Sequence, residues 1–429
     1  MRHARHSVAR SIALVLLLGG LVAWPITAAT PTARPEEVGL STERLQRINE
    51  LIKRHIDAGT FSGAVTLVAR QGRVAHLEAQ GLMDIESRKP MQKDAIFRIM
   101  SMTKPVVGAS IMMMIEEGKV RLTDPVSRFI SEMKGLKVAV TMPAPAGPAP
   151  APGTPVRFYT VPAEREITVR DLLTHTSGLV SGGVSNREAQ KVGLKGKETL
   201  ADFLPRLGGV PLDFQPGTRW AYSATAGFDT LARIVEITSG MPFDKFTKQR
   251  IFDPLGMKDT FFYPVEGNPR MATRYVRGEK GLEKQNNPAF MNGAYFSGGG
   301  GLMSTAEDYL QFAQMLLNGG ELNGKRLLGS RTVEVMTSVA APDTLPGRPK
   351  GEGYGLSVRV VNDPIARSSF MSAGTFGWSG AYGTHFFVDP QERIVGILMT
   401  QTPDQQVRLD FENAVMHAIV GTGALAGTH

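Results

Sequence analysis

The sequence predicts a mixed α/β (α+β) fold with strand signals near both ends of the chain and helical periodicity between them. Three observations carry this. Residues 64–69 (AVTLVA) and 74–79 flank Gln71-Gly72, a pattern of strand, tight turn and strand. Residues 355–361, 381–388 and 394–400 return to strand character towards the C-terminus. Between these ends, residues 99–117, 228–237 and 305–317 place apolar side chains at helical or nearly continuous spacing.

From the N-terminus, Arg2, Arg5 and Arg10 precede an apolar run over residues 12–22, and the small residues Thr27, Ala28 and Ala29 follow Pro25. This is the pattern of a secretory signal peptide over residues 1–29, cut near Ala28 or Ala29, because the run is shorter than the roughly 20 residues that span a bilayer; the alternative is an uncleaved membrane anchor. Export to the periplasm or beyond is expected, and loss of the three arginines lowers the net charge from +8 to +5. A helix follows, with Ser41 as its N-cap and Leu45, Ile48, Leu51 and Ile52 on one face. After the hairpin, the segment over residues 99–117 carries Met100, Met102, Met112, Met113 and Met114 and is too apolar for a surface helix, so the methionines read as core packing. Residues 142–155 (MPAPAGPAPAPGTP) alternate proline with small residues and predict an exposed loop inserted within the domain, since residues 167–173 resume an apolar period. Gly240 stops one helix and Pro254-Leu255-Gly256 ends the next; an SGGGG run at 297–301 leads into the helix over 305–317, and a last helix covers about 407–419.

Composition narrows the chemistry. The 429 residues, 42% hydrophobic and 21% charged, are those of a globular protein. The absence of cysteine excludes disulfides, cysteine-ligated zinc, iron–sulfur clusters and a thiol nucleophile. Basic residues are scattered without a Lys/Arg run, which argues against a nucleic-acid partner. No G-x-S-x-G elbow occurs; Gly377-Trp378-Ser379-Gly380-Ala381 fails at its last position. H-E-x-x-H, the P-loop and the dinucleotide fingerprint are also missing, so neither a metal nor an organic cofactor is expected.

Ser-x-x-Lys occurs twice, as Ser101-Met102-Thr103-Lys104 and Ser131-Glu132-Met133-Lys134, where about one chance match is expected. Three residues on a helix bring both side chains to one face. Ser101 opens the methionine-rich apolar helix, where burial disfavours a charged amine and the helix N-terminus favours an alkoxide. Ser131 and Lys134 lie in a polar stretch and read as a solvated face. A second base is needed, and Tyr222, in Trp220-Ala221-Tyr222-Ser223-Ala224-Thr225 just before a helix, is the candidate.

These residues resemble the serine β-lactamase and penicillin-binding-protein superfamily, closest in pattern to class C β-lactamases and family VIII carboxylesterases. The likeness runs from about Pro35 to the C-terminal helix. It rests on Phe97-Arg98-Ile99-Met100 before Ser101, on Asp171-Leu172-Leu173-Thr174-His175-Thr176-Ser177-Gly178-Leu179, on Pro216-Gly217 with Tyr222-Ser223, on Pro254-Leu255-Gly256-Met257, and on residues 298–304 with Thr305-Ala306. The resemblance implies an antiparallel sheet flanked by helices, with a sheet part over about 35–98 and 290–429 and an inserted helical part over about 99–289. It implies Ser101 as the acyl-accepting nucleophile, Lys104 as its activating amine and Tyr222 as partner base, with the backbone N–H groups of Ser101 and Ala381 as oxyanion hole.

The third motif of the family, Lys-Thr-Gly or His-x-Gly, matches Trp378-Ser379-Gly380, expected to line the substrate and to be followed by a strand from Ala381. The esterase branch similarly carries Trp-x-Gly. Ala224 stands where the middle motif commonly has asparagine. Both departures favour an ester over a carboxylate-bearing amide. His175 reads as structural, His385 as a strand histidine, and residues 297–301 as a tight turn near the site. The expected function is an exported serine hydrolase, a carboxylesterase on small esters. The alternatives are a β-lactamase or D,D-peptidase-type amide hydrolase, acyl transfer to an alcohol, and a catalytically degraded cell-wall binding module.

Overall fold

The computed structural model describes residues 30–143, 156–263, 267–288, 290–291 and 293–421. The predicted leader and residues 144–155 of the Pro/Ala-rich loop lie outside them. Helix α1 (Thr42–Asp57) starts at its predicted cap, where the extended Ser41 accepts the Arg44 amide at 3.2 Å and satisfies a donor that the first turn leaves over. Its buried stripe is Leu45, Ile48, Leu51 and Ile52. Strands β1 (Gly63–Arg70) and β2 (Arg73–Asp84) form the predicted hairpin. Gln71 and Gly72 both adopt positive φ, 54° and 76°, the twist that a two-residue turn between strands requires.

Strand β3 (Lys89–Pro90) and the C-terminal strands β4 (Glu352–Tyr354), β5 (Arg359–Val361), β6 (Phe376–Ser379), β7 (His385–Asp389) and β8 (Ile394–Met399) complete an eight-stranded sheet in the order β4-β5-β6-β7-β8-β1-β2-β3. Every pairing in it is antiparallel. The two ends of the chain join in the β1–β8 ladder, from Val65 opposite Met399 to Arg70 opposite Ile394.

Two strand boundaries differ from the sequence reading. Of the strand expected over 355–361 only β5 forms, because residues 355–358 are the turn back to β4, closed by the Gly355 amide on the Val358 carbonyl at 2.8 Å with the Ser357 amide turned to the Leu173 carbonyl at 3.0 Å. The strand expected from Ala381 begins only at His385. Residues 380–384 are a turn closed by the Gly380 amide on the Thr384 carbonyl at 2.7 Å, with Gly383 at φ 96°. Trp378 and Ser379 therefore end β6.

Helices α2 (Thr103–Glu116), α3 (Ala226–Ser239), α4 (Ala306–Leu317) and α5 (Gln405–His417) supply the layers. Alternation along the strands divides the core in two. Val65, Leu67, Phe386, Val388, Val395 and Ile397 face α2, α3 and α4, whereas Ala64, Val68, Phe387 and Leu398 face α1 and α5. Residues 103–114 of α2 are all buried, as the apolar content predicts for a central helix, and Met102, Met112, Met113 and Met114 pack in the core. The middle of the chain is not purely helical: Lys137–Thr141 pairs with Phe158–Pro162, and Tyr275–Gly278 with Gly281–Lys284. Among the described residues no helix is long and apolar enough to cross a membrane.

Candidate active site

Ser101 lies in a 3-10 turn, Met100–Met102, that runs directly into α2. The strand Phe97–Arg98 just before it pairs with Leu302–Ser304, which anchors the approach. Met100 has φ 46°, a left-handed conformation that costs a residue with a Cβ about 1–2 kcal/mol. The half-buried Ser101 follows this bend.

Lys104, one turn on, is fully buried. Its Nζ donates to Ser101 Oγ at 3.1 Å, to the Ala224 carbonyl at 2.6 Å and to the Gly299 carbonyl at 2.7 Å. Three acceptors match the three protons of an ammonium, which is how a cation is tolerated here without a carboxylate in contact. The Tyr222 hydroxyl donates to the same Ser101 Oγ at 2.6 Å, and the Lys104 Nζ lies 4.9 Å from the centre of the Tyr222 ring. The structure thus brings the predicted Ser101, Lys104 and Tyr222 to one point. Ser131, by contrast, is exposed in a short turn, with its hydroxyl on Glu132, and Lys134 is exposed beside it.

This cluster has two supports, of which the first escapes the sequence reading and the second, His175, reads there as structural. Asp229, on α3, is buried; its Oδ1 accepts the Ser297 hydroxyl at 2.7 Å and the Gly299 amide at 2.9 Å, and its Oδ2 accepts the Tyr295 hydroxyl at 2.8 Å. This bracing aims the Gly299 carbonyl at Lys104. Burial raises the Asp229 pKa above the usual carboxylate value, against the pull of those hydrogen bonds and of Lys104. The signal in the sequence is a carboxylate among small and apolar residues in the first turn of α3. The second support is His175, which is buried at φ 59° with its ring 4.7 Å from that of Tyr222. Its Nδ1 accepts the Ser223 amide at 3.2 Å. Burial, with Lys104 and Arg348, holds its pKa well below the ordinary histidine value, so the ring is neutral packing under Tyr222.

Trp378, Ser379, Gly380 and Ala381 share the wall of a cavity of about 700 Å³ with Ser101 and Tyr222. The Trp378 and Tyr222 rings are 5.6 Å apart. A Cβ at Gly380 would overlap the Ile99 carbonyl oxygen and Thr384 Oγ1, so only glycine lets the turn after β6 rest on the backbone two residues before Ser101. Among the described residues, neither the Ser101 nor the Ala381 amide has a hydrogen-bond acceptor. The far wall is charged: Arg359, Arg367 and Arg408 contact Glu412, while Arg348 and Arg367 contact Glu352. Among the described residues no three His, Asp or Glu side chains converge as metal ligands would.

Comparison with known proteins supplies the rest. The family model described as Beta-lactamase matches residues 48–419. Protein Rv1367c of Mycobacterium tuberculosis is 37% identical over 376 residues, covering 83% of this chain and 90% of its own length. Esterase EstB of Burkholderia gladioli is 32% identical over 387 residues, covering 83% and 90%. Among solved structures, EstCE1, described as a hydrolase with promiscuous acyltransferase activity, superposes with a TM-score of 0.73 at 27% identity, over 87% of this chain and 99% of that one. With the antiparallel sheet, the helical layers and a family match over most of its length, the protein belongs to the β-lactamase family, as a serine hydrolase.

Proposed function

We propose that the protein is a carboxylesterase that cleaves small esters through an acyl-enzyme on Ser101. The observation that carries this reading is the Ser101 oxygen standing 3.1 Å from the Lys104 amine and 2.6 Å from the Tyr222 hydroxyl at a cavity wall. Ser101 Oγ attacks the ester carbonyl while its proton passes to the Lys104–Tyr222 pair, which must enter this step one proton short of the ammonium and phenol together, as neutral amine or as phenolate. The amides of Ser101 and Ala381 receive the developing oxyanion. The pair then protonates the departing alcohol, and water repeats the sequence on the acyl-enzyme. An alcohol in place of that water gives acyl transfer with the same residues.

Trp378 gives the third motif an apolar face where a cation would hold a substrate carboxylate, and this supports an uncharged ester. EstB is named an esterase, which agrees. One observation favours a second reading, hydrolysis of a carboxylate-bearing amide: Arg359, Arg367 and Arg408 also line the cavity. Glu352 and Glu412 already pair with them, so each offers a substrate less than a lone lysine would.

A fluorophosphonate probe followed by mass spectrometry tests the nucleophile. The expected adduct is on Ser101 and vanishes in Ser101→Ala; no adduct on the wild type would favour a catalytically degraded binding module. Faster turnover of a chromogenic cephalosporin than of nitrophenyl butyrate would overturn the ester preference. Export through the leader over residues 1–29 belongs to the same proposal. It predicts a mature N-terminus near Ala29 in the periplasm, and an intact chain in the cytoplasm would contradict it.

A further inference from the structure

Ser379, the last residue of β6, is half-buried on the cavity wall shared with Ser101 and Tyr222. Its Oγ is 2.9 Å from His385 Nδ1. Across the ring, His385 Nε2 lies 3.0 Å from Glu412 Oε1, with the oxygen off the N–H axis. Glu412 is buried and also contacts Arg359 and Arg367 at 3.1 Å and Arg408 at 3.2 Å. Serine, imidazole and carboxylate in series have the connectivity of a hydrolytic triad.

Base strength decides what the series can do. His385 is fully enclosed, and burial lowers its pKa to about 4, only partly offset by Glu412 and reinforced by Arg359 and Arg408. At neutral pH, such a base is protonated in about one molecule in a thousand. Three guanidiniums share the Glu412 charge, so little is left to stabilise an imidazolium. The series therefore does not make Ser379 a second nucleophile.

It does fix the direction of protons. A neutral imidazole carries one ring proton, and the tautomer with a bare Nε2 would set a nitrogen lone pair against a carboxylate oxygen 3.0 Å away, so the proton belongs on Nε2 even though the oxygen lies off its axis. Nδ1 is then bare, and the Ser379 hydroxyl must donate to it. What Ser379 turns to the cavity is its lone pairs. A substrate oxyanion at this wall meets no donor from Ser379, whereas a hydroxyl or amide N–H meets a fixed acceptor.

We infer that Ser379 is a specificity-determining residue, set by His385 and Glu412 as a hydrogen-bond acceptor, that selects substrates bearing an O–H or N–H donor beside the reacting carbonyl. This rests on the reading that the Ser101 cavity binds the substrate, and it deepens that reading by naming a feature of the substrate.

Matched esters test it. Nitrophenyl 3-hydroxybutyrate is compared with its 3-methoxy analogue for a donor on the acyl side, and hydroxyethyl butyrate with methoxyethyl butyrate for one on the alcohol side. The wild type should favour the hydroxyl member of at least one pair by about three- to tenfold in kcat/KM, the range of one neutral hydrogen bond. Ser379→Ala should bring that ratio close to one. His385→Phe, which frees the Ser379 proton to turn into the cavity, should do the same without removing the serine. Because His385 lies within a buried charge cluster and its variant could fail to fold, the Ser379→Ala ratio decides alone if the His385 variant is lost. Equal rates within both pairs, or a preference unchanged in Ser379→Ala, would overturn the inference. Activity surviving in Ser101→Ala but abolished in Ser379→Ala would instead overturn the assignment of the nucleophile, and the two failures cannot be confused.

Discussion

Replacing Lys104 with methionine removes the ammonium while keeping most of the side chain's volume, and the structure lets its two effects be weighed separately. The Ala224 and Gly299 carbonyls lose their donor at 2.6 and 2.7 Å. A buried acceptor left without a partner costs about 1–3 kcal/mol, so the pair predicts a loss of about 2–6 kcal/mol. Against this, the variant no longer buries a cation, whose effective desolvation penalty is itself several kcal/mol. The terms oppose each other, and the net change in stability should be small. Activity has no such compensation. Loss of the amine beside Ser101 Oγ removes an acid–base contribution of about 10²–10⁴-fold in rate, or about 3–5 kcal/mol of barrier. The assay is kcat on nitrophenyl butyrate beside a urea unfolding curve for the same preparation. A kcat within about threefold of the wild type would refute a role for Lys104 in the proton path. A large collapse in stability would refute the compensation argued here and make the lysine chiefly a structural cation.

Two further predictions follow from neighbouring groups. Asp229→Ala strands the Ser297 hydroxyl and the Gly299 amide, so it should destabilise by about 2–6 kcal/mol in urea and lower kcat as the Gly299 carbonyl drifts from Lys104; Asp229→Asn, which keeps an acceptor, should lose less, and equal losses would show that hydrogen bonding is not the cause. His76 is buried against Thr66 Oγ1 at 2.8 Å, and burial, with Lys93, lowers its pKa to about 4. Since the folded value lies below the unfolded one of about 6.5, its contribution is present above pH 6.5 and is lost as pH falls through 4, a change of about 3 kcal/mol. Urea midpoints between pH 7 and pH 4 should fall more steeply in the wild type than in His76→Gln, and identical slopes would dismiss the effect.

What was legible in the sequence is what short spacing or local turn chemistry encodes. Ser101 and Lys104 are one helical turn apart, Ser41 and Gln71-Gly72 carry their own capping and turn signals, and the strands at the two ends need only their alternation to be recognised. The parts that were missed depend on contacts between distant residues. Asp229 reaches Ser297 and Gly299 nearly seventy positions away, and nothing in its own neighbourhood announces them. The arginines at 348, 359, 367 and 408 are scattered along the sequence, although together they enclose Glu352 and Glu412. The strand placed from Ala381 was misjudged because Tyr382 prolongs the apolar alternation backwards from β7, whereas Gly383 and the Gly380–Thr384 hydrogen bond bend the backbone.

The alanine at position 224 shows why motif and mechanism need not be lost together. An asparagine there would offer Lys104 a side-chain oxygen, but the lysine is anchored by the Ala224 carbonyl, which any residue supplies, and by a second carbonyl at Gly299. Lys104 is therefore held by backbone, whose position is set by α3 and the turn that Asp229 braces. The side chain at 224 is free to change without releasing the amine. What its shortening does remove is a polar group that could have gripped an amide in the substrate, and with Trp378 in place of a cation both departures act on recognition. Under the proposed mechanism the proton-transfer machinery is spared, and the selectivity of the cavity is expected to shift towards esters.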